Sequence, residues 1–159
     1  MSSSSLRIRP AAADELGQVA SLVLHGLAER WGTLDPHLDL DLQSLSEGMA
    51  HGLVLTAWLG PTLVGTGTLV GGPDTAEIVR MSTAHDFRRR GVASRLLAAL
   101  VDAARDRGAA RVALETTATW TDARRLYEHE GFVLDAVVHG PHGDDAHYHL
   151  DLDPLPVPP

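Results

Sequence analysis

Residues 87–97, FRRRGVASRLL, set three arginines against a glycine at the start of an apolar helix. At such a strand-to-helix turn the first backbone N–H groups have no intrahelical partner, and the helix dipole favours negative charge. Gly91 lets a ligand approach the backbone with no side chain in the way, and Ala93 keeps the next turn small. Between residues 80 and 95 stand Arg80, Arg88, Arg89, Arg90 and Arg95 against a single acid, Asp86. The chain as a whole is acidic: 13 arginines and no lysine face 21 Asp and Glu, for a net charge of −8. This local reversal of sign points to a polyanionic ligand. The alternative is a solvated helix start whose arginines face water. Two other phosphate motifs are excluded. A P-loop needs a lysine, and GTGTLVGG (65–72) lacks the dinucleotide-fingerprint spacing and falls inside a hairpin, where its glycines permit close strand packing.

A second constellation is HGPHGDDAHYHLD (139–151), in which His147 and His149 alternate on one strand as two metal ligands would. Acidic, histidine-rich hairpin tips are also simply solvated, and no metal is expected here.

The elements that hold these residues follow from periodicity. LRIR (6–9) alternates as a strand, and Leu16, Val19, Ala20, Val23 and Leu27 keep helical spacing across 12–30. The acidic stretch WGTLDPHLDLDLQSL reads as a loop leading into a short helix near 41–49. Strands at 53–59 and 62–70 form a hairpin about Gly60 and Pro61, and a third strand covers 76–83. Val92, Leu96, Ala99, Leu100 and Ala103 line one face of a helix over 91–107 that Gly108 stops. RVALET (111–116) is a strand, Thr121 caps a helix over 122–130 that ends at Gly131, and a last hairpin follows. The fold class is α/β, a single domain over 1–159 with frayed tails at 1–5 and 153–159.

With 44% hydrophobic residues the chain can bury a core, and its acidity excludes general nucleic-acid binding. The absence of cysteine excludes disulfides, thiolate metal sites and a cysteine nucleophile. No apolar run reaches the ~18 residues of a membrane span, and MSSSSLRIRP has no signal-peptide core, so a cytoplasmic location is expected.

The arginine turn, written Arg88-Arg89-Arg90-Gly91-Val92-Ala93, resembles the Gln/Arg-x-x-Gly-x-Gly/Ala signature of the GNAT superfamily of N-acetyltransferases. ARRLYEHEGF (123–132) resembles that family's second element, with RVALET at the family's spacing between the two. The resemblance is strongest over 76–132. It implies a GNAT fold, a mixed, mostly antiparallel sheet of six to seven strands flanked by about four helices. It implies acetyl-CoA as co-substrate, its pyrophosphate held at Arg88, Arg89, Arg90, Gly91, Val92, Ala93 and Ser94. Backbone of Met81, Ser82 and Thr83 would pair with the pantetheine arm like an added strand. Where many members have a cofactor-contacting asparagine, this chain has Trp120, whose indole donates but does not accept.

The same resemblance implies roles for three side chains. Glu77 is the expected general base, with Glu115 as the alternative, because an ammonium must lose a proton before it can attack. Either carboxylate also reads as a strand acid paired with Arg80 or Arg111. Tyr127 is expected to donate to the departing thiolate, or to pack its helix on the sheet as a core residue, or both. The implied function is acetyl transfer to a primary amine of a small molecule or a peptide N-terminus; a non-catalytic acyl-CoA-binding sensor is the competing class. No nucleic-acid or membrane partner is expected, and a homodimer is allowed. Asp35, Asp39 and Asp41 would either attract a cationic acceptor or merely solvate their loop.

Overall fold

The structure is a computed structural model that describes residues 5–31, 52–141 and 143–152. The first strand forms β1 (Leu6–Pro10), followed by a 3-10 turn (Ala13–Glu15) and helix α1 (Leu16–Trp31). The expected helix near 41–49 and the acidic stretch with Asp35, Asp39 and Asp41 lie outside the described residues. Strands β2 (Gly52–Leu59) and β3 (Thr62–Gly71) make the expected hairpin, and β4 (Thr75–Thr83) follows. A 3-10 turn (His85–Phe87) leads into α2 (Val92–Asp106), then β5 (Arg111–Thr117) and α3 (Thr121–His129). The hairpin of β6 (Val133–Gly140) and β7 (Gly143–Asp151) completes the chain.

The seven strands lie in the order β1-β2-β3-β4-β5-β7-β6. Every neighbouring pair is antiparallel except β4 and β5, whose parallel alignment needs the crossover that α2 supplies. The sheet is therefore mixed and mostly antiparallel, as expected. Three α-helices flank it among the described residues.

Alternation along the strands divides the core between the two faces. Leu55, Ala57, Leu69, Ala76, Ile78, Val112 and Leu114 pack beneath Leu96, Leu97 and Leu100 of α2 and Tyr127 of α3. Val54, Trp58 and Leu63 pack against Leu16, Val19 and Ala20 of α1. The glycines of β3 serve a helix contact as well as the strand contact expected. A Cβ on Gly65 would stand 2.8 Å from Leu96 and Val92, and one on Gly67 would strike Met81 and stand 2.8 Å from Leu100. They let helix α2 lie close on the sheet and, at Gly67, leave room for Met81 of the neighbouring strand β4.

The cap of α3 also differs from expectation. Thr121 is the first helical residue, and Trp120 occupies the N-cap position with no side-chain cap bond. Backbone bonds order this corner instead: Trp120 N–H donates to the Thr117 carbonyl (3.0 Å), and Arg124 N–H to the Trp120 carbonyl (3.1 Å). Gly108 and Gly131 end their helices at φ 80° and 96°, in the left-handed region that glycine adopts without strain.

Candidate functional site

Strands β4 and β5 pair only over residues 75–78 and 111–114. Beyond Ile78 and Leu114 they part. β4 stays with β3, with Thr83 opposite Gly65 and Ser82 opposite Thr66, while β5 stays with β7 as far as Thr117 opposite Asp145. The cause is a bulge. Thr66 pairs with Ser82 but Thr68 with Val79, so β4 carries one extra residue there, and Arg80 sits at φ 57°. A bulge bends its strand, and a left-handed arginine costs roughly 1–2 kcal/mol, strain of a kind that clusters at functional sites. The result is a wedge in mid-sheet, edged by backbone of Met81, Ser82 and Thr83 on one side and of 115–117 on the other.

The arginine turn closes the end of β4. Phe87 N–H donates to the Ala84 carbonyl (2.9 Å) and Arg88 N–H to the His85 carbonyl (3.3 Å). Arg89 and Gly91 are left-handed, at φ 62° and 80°. Gly91 is the N-cap of α2 with no side-chain cap. The first intrahelical bond runs from Arg95 N–H to the Gly91 carbonyl (3.1 Å), so the N–H groups of Val92, Ala93 and Ser94 point outward from the helix start.

The three arginines divide their work. Arg88 is half-buried, its Nε donating to the Thr83 carbonyl (3.3 Å) with a guanidinium nitrogen 3.4 Å from His85 Nδ1. Arg89 and Arg90 are exposed, and Arg90 lies over the Phe87 ring, 5.4 Å from its centre. The Ser94 hydroxyl donates to Glu130 Oε1 (2.5 Å) and so ties the start of α2 to the end of α3; its backbone N–H remains with the turn. Beside the turn a cleft of about 350 Å³ opens between α1 and the end of β4, lined by Ser21, Leu22, His25, Leu63, Thr83 and Phe87 among others.

Glu77 lies between Ala76 and Ile78, which are buried under α2, so its carboxylate takes the opposite face of the sheet. Glu115 shares that face on β5, where it neither pairs with Arg111 nor stands alone. Arg111 bonds Asp151 (2.8 Å), while Glu115 faces His147 across the strand pair, 3.4 Å from Nε2. Burial pushes the Glu77 carboxyl up from its ordinary pKa, Glu115 pushes it further, and His147 opposes them.

Tyr127 lies on the other face. Its ring is buried against Phe132 and Tyr148, with centres 6.1 Å away in each case. Next to it, Arg124 donates to the Tyr148 hydroxyl (2.9 Å) and to the Ala118 carbonyl (3.1 Å), and the Tyr148 hydroxyl donates to Glu128. Burial first, then the bond to Glu128, raises the Tyr148 pKa. This network, which residue spacing did not suggest, holds the loop after β5 against α3. Trp120 is partly buried at the junction. Among the described residues of the last hairpin each histidine faces a carboxylate: His139 meets Asp144, His147 meets Glu115, and His149 meets Asp135 (2.5 Å).

The sequence model of the Acetyltransferase (GNAT) family matches residues 18–132. The chain belongs to the GNAT family. The GNAT chain is 41% identical over 81 residues to YsnE of Bacillus subtilis, described as an uncharacterized N-acetyltransferase; the match covers 48% of this chain and 53% of that protein. The GNAT chain thus spans about half the length of the curated relative it matches. Among solved structures, an acetyltransferase from Bacillus subtilis in complex with CoA is 25% identical, covering 93% of this chain and 99% of that one at a TM-score of 0.72. YncA from Salmonella typhimurium, solved with acetyl-CoA, is 19% identical, covering 98% and 99% at a TM-score of 0.78. The fold is the GNAT fold.

Proposed function

We propose that the protein is an acetyl-CoA-dependent N-acetyltransferase acting on a primary amine of a small molecule or a peptide N-terminus. The observation that carries this reading is the wedge between β4 and β5, which opens beside an anion-binding helix start. An extended pantetheine arm fits the backbone edge of Met81, Ser82 and Thr83 as an added strand would. A pyrophosphate fits the outward N–H groups of Val92, Ala93 and Ser94, because the left-handed Gly91 has open space where a Cβ would stand. The exposed Arg89 and Arg90 add charge at the same place, Arg88 braces the turn to Thr83, and Trp120 stands at the start of α3. The solved relatives with acetyl-CoA and with CoA support this assignment of the ligand.

Bound acetyl-CoA supplies an activated acyl group. The chain supplies proton handling and donors around it. Glu77, on one face of the sheet, takes a proton from the attacking nitrogen, and its raised proton affinity suits a base that must compete for an ammonium proton. A backbone N–H of 81–83 donates to the acyl oxygen. The Tyr127 hydroxyl, on the other face, is a donor that a departing thiolate can accept from. The wedge is the opening through which the two faces meet.

The test is Gly91→Glu. Calorimetry should show acetyl-CoA affinity falling by more than tenfold in a folded protein, with Gly91→Ala, which adds strain but no charge, losing much less. Unchanged affinity in the glutamate variant would remove the cofactor site. Binding without thiol release against any amine would leave the acyl-CoA sensor as the function.

A further inference from the structure

Glu77, Glu115 and His147 form a row across three adjacent strands. Glu77 is in register with Ala113, so Glu115 stands one pleat further along the same face, where β4 leaves β5. His147 is in register with Glu115, its Nε2 3.4 Å from the carboxylate. The other charged groups here are largely engaged with one another. On β7, His149 is held by Asp135 of β6 (2.5 Å) and lies 3.8 Å from Asp151, which in turn bonds Arg111 of β5. Asp145 flanks His147 along β7, and on β3 the residue opposite Glu77 is the uncharged Val70. On β4 itself stands Arg80, and on α1, which packs against β4, His25 lines the cleft beside Thr83.

We propose that Glu77 and Glu115 work as one coupled base whose operating range His147 sets. This rests on the N-acetyltransferase reading. The proton leaves the amine nitrogen for a Glu77 carboxylate oxygen and is returned to solvent at the exposed edge of the row. Ionised Glu115 makes Glu77 hold that proton more firmly. A positive charge on His147 weakens that hold. The two neighbours act on Glu77 with opposite sign.

Opposite signs make the test decisive. Carboxyl carbons of the full-length protein are followed by NMR through a pH titration, alongside thiol release from acetyl-CoA with a panel of primary amines. In Glu115→Gln the Glu77 midpoint should fall, and in His147→Gln it should rise; Glu115→Asp should return it toward wild type. On the acid limb of kcat/KM the Glu115→Gln shift should read as about a threefold change relative to that variant's own plateau, the size of a unit charge one strand away in a watery setting, and the His147→Gln shift, from two strands away, as about twofold. Midpoints that stay put, or move together, with thiol release intact would overturn the coupling alone. Absence of thiol release by the wild-type protein with every amine would overturn the acetyltransferase reading and this proposal with it.

Discussion

Tyr127 is a core residue to which the proposed mechanism gives a second duty. Only 6% of it is exposed, and its ring packs against Phe132 and Tyr148, so the core reading of this residue holds. That packing also fixes where the hydroxyl sits, which a proton donor requires. Tyr127→Phe keeps the ring and removes the proton. Stability should change by less than about 1 kcal/mol, the worth of one hydrogen bond. Turnover should fall by roughly 10²-fold while the KM for acetyl-CoA moves far less, the mark of an interaction made mainly in the transition state. Steady-state kinetics checks the split, and a KM that rises while kcat stays constant would assign Tyr127 to binding.

Between elements, two contacts have measurable consequences. The first is the seat of α2 on β3. Gly67→Val would drive a branched side chain into Met81 and Leu100, and overpacking of this kind costs about 1–3 kcal/mol. Thermal unfolding should drop by several degrees. Acetyl-CoA affinity should fall with it, since Met81 lies on the backbone edge of the wedge. The second is the tie between β1 and the 3-10 turn. Glu15 takes two bonds from the Arg9 guanidinium (2.8 and 2.7 Å) and one from the Ala12 N–H (2.8 Å), and its pKa is lowered to about 2, the Arg9 bonds being the largest cause. A carboxyl depressed below its unfolded value of about 4.3 stabilises the fold above that pH, and the stabilisation is lost as pH falls toward 2. A Glu15→Gln variant should therefore be less stable than wild type at neutral pH and should converge with it across that window. Melting curves between pH 5 and pH 2 check this.

At the scale of the molecule the two sheet edges differ in how they resist pairing. β1 is a short strand of 5 residues that ends in a proline and carries Arg7 and Arg9. β6 has 8 residues, all exposed, with no proline, lysine or arginine, and Val133, Leu134, Val137 and Val138 are 40 to 56% exposed. A long apolar edge with unpaired peptide groups is a template for association, and basic side chains are the usual defence. Light scattering of the wild-type protein should show association that grows with concentration, reduced severalfold by Val137→Lys. Equal scattering from both proteins would show that the edge is inert.

Local physics made much of this protein legible in its sequence. Helical and strand spacing located the described elements to within a residue or two, apart from the start of α1, because burial on one face imposes a period. Gly91, Gly108 and Gly131 marked turns because the backbone there needs a left-handed residue. The arginine turn stood out because its charge opposes that of the whole chain. Other features required strand register, which joins residues far apart in the chain and leaves no local trace. That Glu115 meets His147 rather than Arg111, that Glu77 and Tyr127 take opposite faces, and that the Ser94 hydroxyl turns to Glu130 all depend on which strands and helices become neighbours. Thr121 was misread as a cap because the backbone around Thr117 and Trp120 orders that corner without a side-chain oxygen. The wedge itself comes from one extra residue in β4 opposite β3, and only the paired sheet reveals that residue as extra.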